Sequence, residues 1–240
     1  MRTLLSVLLV GILLMASSVV LSAEPTASDV QQALIALTPS HAEEIMSAFS
    51  LGFAQGRLQV ASTLHMINRL IGYEGEQGDK EGILITVAHT LQDALPVVIL
   101  VEKAEEGMAR SVPLALILNG AKGQPPILGL TQREYLLSAT RDTLYSKGIF
   151  STPPGAKATS QSLSLVHFDT LVSEIADSLA DYVESGGSPL EGHLLYQQVS
   201  DRLTDLAGLK VPIVQPEDTR LVLERVTPAD LTTVVLKIFE

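Results

Sequence analysis

His89 and Asp93 stand four residues apart. On a helix that spacing puts both side chains on one face. A carboxylate that orients an imidazole is the first half of a general-base device. The stretch that contains them, Ile83 to Val101, is the most apolar beyond residue 23, interrupted by His89, Gln92, Asp93 and Pro96. Both groups are therefore expected in a low dielectric, with shifted pKa values. No nucleophile stands beside them in the chain, and a structural His–Asp hydrogen bond accounts for the same residues.

A second constellation is acidic. Glu174, Asp177, Asp181 and Glu184 follow steps of three and four, so on a helix they form one negative stripe. With oxygens from another element the stripe is a candidate metal site for a hard divalent cation. The pattern reads more simply as the solvated face opposite Leu171, Ile175 and Leu179. Asp169 in His167-Phe168-Asp169 reads as a helix cap. His41, His65 and His193 have no metal-ligand spacing to another histidine. Tyr135 and Tyr145 fall on one helix and suit packing better than a pocket wall.

Signatures of named chemistries are missing. There is no Gly-x-Ser-x-Gly, no His-Glu-x-x-His, no Walker loop and no dinucleotide fingerprint. The chain has no cysteine, which excludes thiol nucleophiles, disulfides and Cys-ligated zinc or iron–sulfur centres. No cofactor is expected.

The elements that must position these residues are helical. A Ser or Thr followed three residues later by an acid or amide recurs as Ser28…Gln31, Ser40…Glu43, Thr131…Glu134 and Ser188…Glu191. Thr227-Pro228-Ala229-Asp230 adds proline at the first helical position, where its missing N–H costs nothing. From His41 to Gly72, apolar or small residues at Ile45, Phe49, Phe53, Gly56, Val60, Leu64, Ile67 and Ile71 predict one long helix. Gly52 and Gly56 on it would admit a neighbouring helix. Ile83 to Val101 predicts a buried helix that Pro96 kinks or breaks, with a strand over Pro96 to Val101 as the alternative. Asp218 to Val226 also reads as a short helix or strand. Leu171, Val172, Ile175, Leu179, Tyr182 and Val183 share a helical face, as do Leu190, Leu194, Val199, Leu203 and Leu206. No sequence period of 20–50 residues recurs, which argues against a repeat array. The fold expected is mainly α, a single helical domain of about seven to nine helices with room for one or two short strands. The segment 151–162, with Pro153-Pro154-Gly155 and several Ser and Thr, is the best internal boundary.

Residues 1–23 read as a secretory signal peptide: Arg2, an apolar run from Leu4 to Leu14, then Leu21-Ser22-Ala23 before Glu24-Pro25. Cleavage after Ala23 would release residues 24–240; if the leader is kept, it is the chain's one expected membrane contact. The 27 acidic and 16 basic residues give a formal net charge of -11. That balance excludes nucleic acid, whose phosphates need a basic footprint. A periplasmic or extracellular location follows from the leader. The function expected is a non-catalytic binding or assembly component with a protein partner. The alternatives are a carrier of an apolar small molecule or lipid, and an enzyme using His89 and Asp93. The mean hydropathy of +0.31, raised by the leader, suits the carrier and an ordinary core equally.

Overall fold

The computed structural model describes residues 24–38, 40–149 and 162–239. Over them the chain is mainly α, with eleven helices and no strand. They are α1 (Ala27–Leu37), α2 (Ala42–Ala54), α3 (Val60–Gly72), α4 (Gln77–Gln92), α5 (Val98–Ala109), α6 (Leu114–Asn119), α7 (Leu130–Ser146), α8 (Ser162–Glu184), α9 (Gly192–Ala207), α10 (Pro216–Arg225) and α11 (Pro228–Leu236). The leader lies outside the described residues. So does the boundary at 151–162, apart from Ser162, which opens α8.

The helix count exceeds the expected range. Of the two apolar runs that break, the one at Pro96 was expected to kink or break, and the one from His41 to Gly72 was expected to be continuous. The run from His41 to Gly72 divides at Gly56, whose φ of 69° lies in the left-handed region that ends a helix. Apolar periodicity continues across the break, so side-chain spacing alone could not show it. Gly52 keeps the close-packing role: a Cβ there would lie 2.8 Å from Leu91 Cδ2. The run from Ile83 to Val101 breaks at Ala94, with φ 55°, just ahead of Pro96. Val98–Ala109 then forms α5 where a strand was the alternative, and Pro216–Arg225 is α10. No neighbouring strand is present among the described residues to satisfy the backbone of a β segment.

Helix starts are correct in kind and displaced in position. Thr227 and Asp230 form the expected capping box at α11. At α1 the box is formed by Thr26 and Asp29 instead of Ser28 and Gln31. His41, not Ser40, sits at the N-cap of α2. At α7 the Gly129 amide donates to Gln132 Oε1 at 3.0 Å, while the Thr131 hydroxyl donates to the Leu118 carbonyl at 3.0 Å. Ser188 lies one turn before α9, its hydroxyl accepting from Leu190 N at 3.3 Å.

Packing follows a regular plan over the first seven helices. α1 packs on α3, α3 on α5 and α5 on α7; α2 packs on α4, and α4 on α6. Helices therefore alternate between two layers, and hairpins stack side by side, as in an α-solenoid. The stacking is present without a sequence period. Hairpin stacking requires apolar faces at intervals of thirty to forty residues, not the same residues at them. Polar side chains stitch successive hairpins: Gln77 donates to the Leu37 carbonyl, and Tyr73 Oη donates to the Val112 carbonyl at 2.9 Å. Lys80, buried in α4, donates to the Ile71 carbonyl in the last turn of α3 at 3.3 Å, where a cation is favoured. The array ends on α8, which packs between α7 and α9, with α11 resting on α9 and α7. One apolar core runs through all of it, including Leu34, Phe49, Met66, Leu84, Leu100, Leu136, Leu179 and Leu203.

Candidate functional site

His89 lies in the last turn of α4, and Asp93 is its C-cap. Both are exposed, contrary to the low-dielectric setting expected for them. Ile83, Leu84, Val87 and Leu91 carry the apolar character of this helix into the core, while His89, Gln92 and Asp93 occupy its water-facing side. Two groups from α7 approach them. Arg141 Nη1 donates to the Asp93 carbonyl at 2.6 Å. Glu134, half-buried, has its carboxyl pushed up by burial, while His89 draws it down and Asp93 raises it further. His89, Asp93 and Glu134 therefore form one small charged surface patch, assembled from two helices. Neither Glu134 nor Arg141 was legible as a neighbour, because the α4–α7 contact joins segments some fifty residues apart.

The acidic stripe behaves differently from a solvated face. Arg133 of α7, only 5% exposed, donates from Nη2 to Glu184 Oε2 at 2.7 Å and from Nη1 to Asp177 Oδ1 at 3.4 Å. Glu184 Oε1 also accepts from the Leu128 backbone N–H at 2.9 Å. Arg202 of α9 holds Glu174 through Nη2 at 2.7 Å and Nε at 2.8 Å. Asp181 is pushed up by burial, with Asp177 adding to the shift while Lys103 and Arg133 oppose it. The stripe is the seam by which α8 binds its two neighbours. Arginines take up its negative charge, and among the described residues no group of three or more acids and histidines is placed to hold a metal ion.

Next to this seam lies a cleft of about 160 Å³, between α5, α6, the loop before α7 and the end of α8. Val112, Leu116, Ile117 and Ile127 form its apolar wall, and Lys103, Glu106, Arg110, Arg133 and Glu184 its ionic rim. Ligand pockets for drug-sized molecules run to about 300–1,000 Å³. The rim charges answer one another: Arg110 Nη2 meets Glu106 at 2.7 Å and Lys103 meets it at 3.4 Å.

Asp169 falls within α8, not at its start, and pairs with Arg57 of the α2–α3 turn at 3.0 Å. Burial pushes its carboxyl up to about 6, against the pull of Arg57. Tyr145 packs against Phe168, ring centroids 4.9 Å apart and planes tilted by 46°, which is the packing role expected of it. Tyr135 is exposed.

An apolar segment outside the charged constellations is Leu209-Lys210-Val211-Pro212-Ile213, between α9 and α10. Leu209, Val211 and Ile213 are 47%, 81% and 50% exposed. Its alternation of apolar residues was the available signal, but a five-residue run between helices carries no periodicity that separates core from surface.

No protein-family model, curated protein or solved structure matches this chain.

Proposed function

We propose that this chain is a non-catalytic binding component that works outside the cytoplasmic membrane and docks a protein partner along its stacked helices. The observation that carries the reading is the two-layer array itself. A stacked hairpin completes its core with its neighbours, so the array gains length without a closed interior, and it exposes long helical surfaces of the type used to hold other chains. Chemistry at the C-terminal end supports the same role. Three aliphatic side chains of Leu209–Ile213 stand in water within five residues, where folding has given them nothing to cover.

Export supports the same reading from the sequence. The leader-like segment ending at Ala23 would deliver the chain to a compartment without an ATP supply, where a binding role needs none. The carrier reading has less support, since the cleft at α5–α8 is small and its rim ionic.

Photo-crosslinking in the native host tests the proposal. A photoreactive residue at Val211 should give one discrete adduct, and Ile213→Asp on the same chain should abolish it. A folded, exported protein that gives no adduct from Val211, or from exposed positions on α1, α3 and α5, would overturn it. N-terminal sequencing of the mature protein should begin at Glu24; retention of Met1 would mean that the leader stays on as a membrane anchor.

A further inference from the structure

His41 and His65 occupy related places in the array. His41, at the N-cap of α2, meets Glu81 of α4 through Nδ1; His65, on α3, meets Glu105 of α5 through Nδ1 at 2.6 Å. Each pair spans forty residues, joins one hairpin to the next, and lies in a different layer. The first three hairpins are thus braced once in each layer by the same two residue types. We propose that these His–Glu pairs brace the first three hairpins, and that the His41–Glu81 link is proton-operated, drawing the first two hairpins together in mildly acidic solution and slackening as its imidazole loses its proton.

The chemistry follows from what each ring can offer. A protonated imidazole gives its carboxylate a charge-assisted hydrogen bond, and a neutral ring at most an ordinary one. Around His41, Glu81 faces it from α4 and Glu44 from its own helix; the Glu81 hydrogen bond, helped by both charges, holds the imidazole above its usual range. Around His65, Glu105 faces it from α5, and Arg69 on its own helix donates to the Glu105 carbonyl at 3.3 Å. The sign is therefore set: the His41 contribution is complete below the ordinary imidazole value and is lost as pH rises through the raised one. The Asp169 titration, at about 6, falls below that window. The brace does not depend on the chain having a partner.

Amide hydrogen exchange of the full chain, corrected for intrinsic rates, tests this. As pH rises from mildly acidic solution through the raised His41 value, protection in α2 should fall roughly two-fold, the size expected of one exposed charge pair. The His41→Gln/His65→Gln double variant should show no such fall. A flat wild-type profile, or an undiminished fall in the double variant, would overturn the brace. An NMR titration in the wild type gives a second measurement: the His41 ring should titrate above an ordinary imidazole and fall towards it in Glu81→Gln. An unchanged His41 titration in that variant would likewise sink the proposal.

Discussion

Arg133 of α7 and Glu184 of α8 meet at 2.7 Å with the guanidinium almost wholly buried and the carboxylate about three-quarters buried. The same arginine reaches Asp177, so one cation on α7 holds two carboxylates, two turns apart on α8. Removing one partner of such a pair is costly because the other charge stays in place. Arg133→Ala should lower the unfolding free energy by about 2–4 kcal/mol, measured by urea denaturation. A loss below about 1 kcal/mol would place the seam among exposed ion pairs, which contribute little.

Asp169 predicts a pH dependence with a definite sign. Its carboxyl titrates at about 6 in the folded chain, against 3.8 ordinarily. Between those values the native state holds a proton that the unfolded chain has released, so stability falls as pH rises from about 4 to about 6. A shift of about two units corresponds to roughly 2–3 kcal/mol across that interval. Asp169→Asn should flatten this part of the stability profile, read from thermal melts at each pH. A slope that survives the substitution belongs to another group.

The broken helix at Gly56 is testable by substitution. Gly56 has open space around it but a φ of 69°, so Gly56→Ala should destabilise by about 1 kcal/mol through backbone strain alone. Gly72 ends α3 with open space and no positive φ. Gly72→Ala should be neutral, or stabilising by up to about 1 kcal/mol. Equal effects at both sites, in urea midpoints, would restore a continuous helix.

The cap of α1 separates two neighbouring residues. Thr26 accepts from Asp29 N–H at 3.4 Å, while its own N–H donates to Asp29 Oδ2 at 2.8 Å. The Thr26 amide holds the Asp29 carboxyl below its usual range. Thr26→Ala should cost about 1 kcal/mol and Ser28→Ala less than about 0.5 kcal/mol. The reverse order in thermal denaturation would return the cap to Ser28.

The site residues were readable only as isolated halves. The spacing of Glu174, Asp177, Asp181 and Glu184 correctly put them on one face, and the error lay in what that face meets. Their partners Arg133 and Arg202 are on α7 and α9. Nothing local distinguishes an acidic stripe facing water from one facing a buried guanidinium. His89 and Asp93 show the converse: an apolar surrounding sequence implied burial, but the helix turns this pair outward and the neighbouring aliphatics inward.

By itself, the sequence determined the helical class, since spacings of three and four and capping pairs are local properties written in consecutive residues. It also carried the leader-like segment, the acidity and the exclusion of thiol chemistry, which composition alone decides. Tertiary structure decided the break at Gly56, which takes a left-handed conformation while the apolar pattern runs on past it; the break ahead of Pro96 was already written in the proline. It also decided the two-layer stacking and the polarity of each candidate face. Those depend on which helix lies opposite, and stacking selects complementary shape and charge between hairpins without requiring their sequences to repeat.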